Sequence, residues 1–282
     1  MRYLAVDVGG TKLAVGVVDA EGRLLTRQTV PTERDDPWPG LRDLVSRALT
    51  VAEVDVVGVG VGGPMAPGGE EVSPLNIPGW RDFPLRGQLA ALTRLPVYVD
   101  NDAKALAMAE AWKGAAVGVR DFVAMVVSTG VGGGVFVDGR LLDGQGGNAG
   151  HIGHVIVEPD GRICGCGARG CLEAQASGLA IEAMTGRPPA DAPPELVDQV
   201  GRWVGRAVAS VCALLDLRLA LVAGSVALGY GDAFFAAAQA ELAARARISF
   251  AADAVVRPAG LGSEGPLIGA AAVARRATAP PI

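Results

Sequence analysis

Apolar residues fall in short runs whose spacing separates strands from helices. Tyr3–Val8 and Leu13–Val18 are apolar runs parted by Gly-Gly-Thr-Lys, which predicts two strands about a tight turn. Leu24–Thr29 predicts a third strand after the turn signal at Ala20–Arg23. A helix is expected around Leu41–Val51, a buried strand at Val56–Val61 and a helix at Leu85–Thr93. A short strand at Val97–Val99 and a helix at Ala103–Lys113 follow. The pattern then restarts, with strands at Phe122–Val127 and Gly133–Val137 about a second glycine turn. Gly146–Gly170 is irregular and rich in Gly and Cys. Helices at Glu195–Leu215 and Ala233–Ala244 bracket a strand at Leu219–Ala223, and Leu267–Arg276 predicts a last helix before a Pro-containing tail.

A hairpin with a glycine-rich turn thus opens each half. That echo predicts two related α/β domains facing one another across a cleft. The expected division is a smaller domain over 1–113, with the final helix (267–282) packing back on it, and a larger domain over 114–266. The larger one carries an irregular module at 148–174.

Composition narrows the function. Half of the 282 residues are apolar and 20% are charged, which excludes a disordered chain. Aromatics are only 5% while Gly numbers 40, so small and β-branched side chains must do most of the packing. Lys and Arg (25) fall short of Asp and Glu (30), and no basic run stands out, which disfavours nucleic acid as a partner. No apolar run approaches the roughly 18–20 residues that span a bilayer. The start, MRYLAVDVGG, enters a strand pattern without a charged leader, so a cytoplasmic protein is expected. Three of the four cysteines cluster, which in a reducing compartment points to metal or chemistry rather than disulfides.

Four motifs carry candidate chemistry. In Asp7-Val8-Gly9-Gly10-Thr11-Lys12 an acidic residue ends a buried strand, and a turn of backbone N–H groups follows. Such a turn can nest phosphate while the carboxylate holds hydrated Mg²⁺; the plain alternative is a β-turn that needs glycine for its dihedrals. Ser128-Thr129-Gly130-Val131-Gly132-Gly133-Gly134 repeats the arrangement, and two such turns are best explained by one polyphosphate. Ala223-Gly224-Ser225 ends a later strand where a flat base has room. In Asp100-Asn101-Asp102-Ala103, Asp102 falls where a helix N-cap would lie, and it is equally placed to be a general base with Asn101 orienting a substrate. Last, Gly150-His151-Ile152-Gly153-His154 precedes Cys164, Cys166 and Cys171 and then Glu173. His154 and the three thiolates complete a tetrahedral zinc set of structural type, against the rival readings of a C-x-C redox pair or free thiols. Cys212 lies in an apolar helix and reads as core.

Together DVGGTK, DNDA, STGVGGG and G-H-x9-C-x-C-G-x-x-G-C-x-E resemble the ROK family of repressors, open reading frames and sugar kinases. Ser73–Trp80 resembles a sugar-side segment of that family and contributes Asn76. The resemblance implies two actin-like ATPase (ribonuclease H-like) domains about a central cleft. It implies an ATP-dependent hexokinase, most often a glucokinase, that phosphorylates the 6-hydroxyl of a hexose. Asp102 would match the catalytic base, and Asn101, His154 and Glu173 sugar contacts. His154 would serve twice, with one ring nitrogen on zinc and the other on the sugar. Asp7, Gly9, Gly10, Thr11 and Lys12 would match the first phosphate loop. Thr129, Gly130, Gly132 and Gly133 would match the second, so ATP and Mg²⁺ are the implied cofactors. Homodimers or homotetramers are usual among relatives. Two residues depart from the pattern. His151 stands where a glutamate is common, in H-x-G-H rather than E-x-G-H, which implies glucose with a specificity relaxed towards mannose, fructose or an amino sugar. Lys104 stands where asparagine commonly follows DNDA. The competing readings are a transcription regulator, for which the first motif leaves no room for an N-terminal helix-turn-helix, a non-catalytic sugar sensor, and a kinase using polyphosphate.

Overall fold

In the computed structural model, residues 1–279 are described. In chain order the elements are β1 (Tyr3–Val8), β2 (Lys12–Val18), β3 (Leu24–Pro31), α1 (Trp38–Val51), β4 (Val56–Val61), α2 (Leu85–Thr93), β5 (Val97–Asn101) and α3 (Asp102–Lys113). Next come β6 (Phe122–Val127), β7 (Val131–Val137), β8 (Arg140–Leu141), α4 (Leu172–Ala176), α5 (Gly178–Thr185), α6 (Pro194–Leu215), β9 (Leu219–Ala223), α7 (Ser225–Arg245), β10 (Val255–Pro258) and α8 (Gly265–Thr278). Contacts divide them into two units: unit 1 is Met1–Val117 with the chain from Leu261 onward, and unit 2 is Gly118–Gly260.

Unit 1 is built on a five-stranded sheet of order β3-β2-β1-β4-β5. β1 pairs antiparallel with β2 and parallel with β4, so the sheet is mixed. β1 and β4 are buried along almost their whole length, which is why they read as continuous apolar runs rather than alternating ones. One face carries Leu4, Val6, Val57 and Val59 against Leu41, Leu44 and Val45 of α1 and Leu85 and Leu89 of α2. The other face carries Tyr3, Ala5 and Val56 against Leu267, Ala270, Ala271 and Ala274 of α8. Small residues let α8 lie close: a Cβ at Gly58 of β4 would stand 2.0 Å from the Ala270 carbonyl oxygen. The helix ends at Thr278, and the 280–282 part of the expected final helix lies outside the described residues.

Unit 2 repeats the topology. Its sheet runs β8-β7-β6-β9-β10, with β6 antiparallel to β7 and parallel to β9, the same scheme as β3-β2-β1-β4-β5. Helix α6 buries Val200, Val204, Ala207, Val208 and Cys212, the three-to-four spacing of one helical face. It packs with Phe234, Ala238 and Leu242 of α7 in the core of the unit. Between β8 and α4 lie thirty residues whose only regular pieces are a 3-10 turn at Ile152–His154 and isolated bridges, Ile156 with Cys171 and Ile163 with Arg169.

Candidate active site and metal centre

In unit 1 the β1–β2 hairpin sets the first turn. Gly9 N donates to the Lys12 carbonyl (3.1 Å), Thr32 N donates to the Thr11 carbonyl (3.1 Å), and the Thr32 hydroxyl donates to the Gly9 carbonyl (2.7 Å). Thr11 and Lys12 are exposed at its tip. Neither Gly9 nor Gly10 has a left-handed φ, which removes the dihedral explanation for these glycines. They answer to clearance instead: a Cβ on Gly10 would lie 2.6 Å from the Cβ of Asn76. The turn and the segment presenting Asn76 are therefore packed together. That segment is pinned by two residues without a sequence signal. Arg34 Nε donates to the Asn76 carbonyl (3.1 Å), and one guanidinium nitrogen of Arg81 reaches the carbonyls of Pro74, Ile77 and Trp80 at 3.2, 3.1 and 2.6 Å.

Asp7 lies near the end of β1, opposite Gly60 of β4. Burial, with the carboxylate of Asp102 adding to it, pushes Asp7 from 3.8 up to about 7 despite Lys12 and Arg27. Two carboxylates close enough to disfavour each other's charge suit a divalent cation carried in by phosphates.

Asp102 is one position later than the cap expected of it. β5 runs on through Asn101, and the Asn101 Oδ1 accepts from the N–H groups of Ala103 (3.0 Å) and Lys104 (3.4 Å), so Asn101 is the N-cap of α3. Asp102 occupies the first helical position and is exposed there, with its Oδ1 accepting from Ala103 N (2.8 Å). The cap oxygen commits one side of the Asn101 amide and leaves its NH₂ as the group it can offer a substrate. Lys104 is buried, with Nζ 3.1 Å from Asp100 Oδ1.

In unit 2 the second turn is shorter than expected. β7 starts at Val131, so Gly132 and Gly133 sit in the ladder opposite Val126 and Met125, and the turn proper is Ser128–Gly130. Gly133 has a packing reason to lack a side chain, since a Cβ there would lie 3.0–3.1 Å from Ile152, Ala124 and Gly150. The turn is bound to its surroundings: Gly178 N donates to the Ser128 carbonyl (2.7 Å), and Val131 N donates to Glu173 Oε2 (2.9 Å). Glu173 is thus joined to the turn carrying Thr129 and Gly130. Gly224 opens α7 with φ +101, and a Cβ there would meet the Val127 carbonyl oxygen at 2.3 Å. The Ser128 and Ser225 hydroxyls are 2.9 Å apart, which brings the base-side stretch beside the turn.

His154, Cys164, Cys166 and Cys171 converge, their ligand atoms all within 4.8 Å of one another. Tetrahedral zinc bonded at about 2.3 Å to sulfur and about 2.0 Å to nitrogen separates S from S by about 3.8 Å and S from N by about 3.6 Å. The cluster has 3.7 Å between the Cys166 and Cys171 sulfurs and 3.8 Å between Cys164 Sγ and His154 Nδ1. These residues fit the ion. Burial pushes Cys171 up to about 12 and Cys164 upward, while the N–H of Ala168 draws Cys166 down. Three thiolates are stable together here only around a cation. Nδ1 of His154 faces the sulfurs, which turns Nε2 away from them. Arg206 of α6 anchors the module, donating to the Val157 carbonyl (3.1 Å) and to Glu158 (3.0 Å) while pairing with Glu241 of α7 at 2.8 Å. Burial opposes the charge on Glu241, but Arg206 and Arg245 hold its carboxyl below the ordinary value.

Freshly purified protein is expected to hold about one zinc per chain. Cys171→Ser should lose the metal and the activity together, and Cys212→Ser, a change inside α6, should lose neither. Full activity in wild-type protein that elemental analysis shows to be metal-free would overturn the zinc assignment.

His151 is exposed, and its Nδ1 lies 2.9 Å from the Asn148 carbonyl oxygen. A carbonyl only accepts, so Nδ1 carries a proton, and Nε2 is the one ring nitrogen left that can accept. Its ring lies 6.2 Å from that of His154, nearly parallel at 13°.

The model of the ROK family matches residues 3–277. The chain is 41% identical over 254 residues to the N-acetylmannosamine kinase of Citrobacter koseri, covering 82% of this chain and 86% of that one. Among solved structures it is similar to a ROK family glucokinase from Streptomyces griseus in complex with glucose and AMPPNP (TM-score 0.84, 30% identity, 98% of this chain and 100% of that one). It is also similar to the ROK hexokinase from Thermus thermophilus (TM-score 0.80, 36% identity, 97% of each chain). With its paired mixed sheets, two hairpin turns and His/Cys cluster, the chain belongs to the ROK family and is a sugar kinase.

Proposed function

We propose that the protein transfers the γ-phosphoryl group of ATP to the 6-hydroxyl of a 2-acylamino hexose, with N-acetylmannosamine the leading substrate. Asp102 accepts the proton of the hydroxyl, the freed oxygen bonds to the γ-phosphorus, and the β–γ bridging oxygen leaves with ADP. Phosphoryl transfer asks mainly for position and charge, so an exposed carboxylate at the start of α3 is sufficient as the base. The turn of Gly9, Gly10, Thr11 and Lys12 and the turn of Thr129 and Gly130 nest phosphates, and Gly224 leaves room for the base. Asp7 would hold the hydrated Mg²⁺ of the nucleotide, which when bound offsets phosphate charge. On the family resemblance, Asn76, Asn101, His151, Glu173 and the Nε2 of His154 are assigned to the sugar.

The reading rests on His151. A glutamate at this position accepts from two hydroxyl donors, whereas the His151 imidazole, with Nδ1 given to the Asn148 carbonyl, offers one acceptor. A 2-acylamino N–H, like a hydroxyl, offers that acceptor one donor, and unlike a hydroxyl it leaves no acceptor lone pairs on the same atom for an imidazole without a free donor to match. The N-acetylmannosamine kinases among the relatives support the same substrate class. Glucose is the second reading, favoured by the glucokinase and hexokinase structures.

The test is ADP release over N-acetylmannosamine, glucose, mannose, fructose and glucosamine, with wild type beside His151→Glu. Wild type is expected to prefer N-acetylmannosamine to glucose by at least tenfold in kcat/KM. A hydrogen bond to a charged group is worth about 1.5–3 kcal/mol, so His151→Glu should move that ratio towards glucose by roughly 10-fold or more. Ratios that stay within about threefold of wild type would remove His151 from specificity, and a preference for glucose in wild type would install the second reading.

A further inference from the structure

We propose that Lys104 is a positioning residue for the catalytic turn, acting with Asp100 as a buried ion pair that fixes the backbone presenting Asn101 and Asp102. The proposal rests on the reading of Asp102 as the base.

A lysine is badly placed at this point on general grounds. It lies in the first turn of α3, at the end of the helix dipole that disfavours cations, and only 2% of it is exposed. Burying an ammonium group costs several kcal/mol unless a partner compensates. The partner is Asp100 on β5, with Oδ1 3.1 Å from Nζ. That oxygen also accepts from the N–H of Asn101 at 2.8 Å. The Asn101 side chain in turn accepts from the N–H of Lys104 itself. These contacts close a circuit: Lys104 Nζ to Asp100, Asp100 to the Asn101 backbone, and the Asn101 side chain back to the Lys104 backbone. Asp102 lies inside the circuit and is its exposed member. A further cation, Arg276 of α8, stands 3.9 Å from the other oxygen of Asp100 and is half exposed. It reinforces the pair from outside.

The arrangement explains why lysine is accepted here. The ion pair supplies no group to substrate; it holds the strand-to-helix junction on which Asp102 is carried. A base displaced by about 1 Å loses on the order of 100-fold in rate.

The experiment is a double-mutant cycle of K104Q, D100N and D100N/K104Q, with kcat and KM for sugar and ATP, and D102N measured in parallel. The double variant exchanges the ion pair for two neutral amides able to hydrogen-bond across the same gap. Each single variant is expected to lower kcat by roughly 10-fold or more with both KM values within about threefold, and the double variant to recover most of the loss. Thermal denaturation and zinc content identify the folded fraction, to which kcat is referred. Single variants that melt earlier yet keep kcat within threefold would make the pair merely structural and overturn the proposal. Additive losses in the double variant, or losses confined to KM, would also overturn it. Should one single variant yield no folded protein, the double variant and the remaining single one decide: equal depression of kcat in both overturns the proposal. Failure of D102N to lower kcat sinks the base assignment whatever the cycle shows.

Discussion

Asp102→Asn is expected to lower kcat by roughly 10²–10⁴ while leaving sugar affinity, read by calorimetry, within a few-fold of wild type. The substitution keeps shape and removes only the ability to take a proton. Because Asn101 caps α3, the helix start does not depend on the carboxylate at position 102, and the folded state should be little affected. The loss will therefore report on chemistry rather than on capping. A variant that keeps more than about a third of the wild-type kcat would exclude Asp102 as the base.

Asp7→Asn is expected to raise stability and abolish turnover at once. The folded protein holds the Asp7 proton to about pH 7, against 3.8 for the ordinary carboxyl. A raised carboxyl pKa means that the native state binds protons more tightly than the unfolded chain, so stability falls as pH rises from about 4 to about 7 and stays low above that. At about 1.4 kcal/mol per unit, the raised pKa of Asp7 costs the fold roughly 4 kcal/mol at pH 8, where Asp7 is ionised, and about 1 kcal/mol at pH 4.5, where only the unfolded chain ionises it. Asparagine has no such penalty. Urea denaturation should find Asp7→Asn more stable than wild type by roughly 2–4 kcal/mol at pH 8, with the difference shrinking below about 1 kcal/mol near pH 4.5. Equal stability at the two pH values would show that burial does not strain this carboxylate. Saturating Mg-ATP should narrow the gap at pH 8 by stabilising wild type only.

Central strands were the most legible part of the fold. Tyr3–Val8, Val56–Val61, Phe122–Val127 and Leu219–Ala223 match their predicted bounds to the residue, because strands covered on both faces have few polar positions to blur their ends, Asp7 of β1 being the exception. β5 extends past its apolar run because pairing with Gly60 and Val61 carries Asp100 and Asn101 along. The start of α7 lies eight residues before the expected Ala233, since Gly229 and Gly231 argue against helix, and the geometry does break at Gly231. β8 and β10, of two and four residues, and the short α4 and α5 carry too few apolar positions to show a period. In the site, residues that share a motif were readable because spacing and chemistry coincide. Thr32, Arg34 and Arg81 were not, since they act on main-chain carbonyls from segments that have no periodicity.

The return of α8 to unit 1 has a consequence for synthesis on the ribosome. Tyr3, Ala5 and Val56 need Leu267, Ala270 and Ala274 to cover them, and more than two hundred residues separate the two sets along the chain. While unit 2 is being made, that face of the first sheet lacks α8, and beyond the cover that Trp112 of α3 gives Tyr3 it is open to wrong partners. Unit 2 has all its strands and helices by Pro258 and can fold vectorially. The half of the protein translated first is therefore the half completed last, and a stop codon before Gly265 would leave a sheet with one apolar side in water.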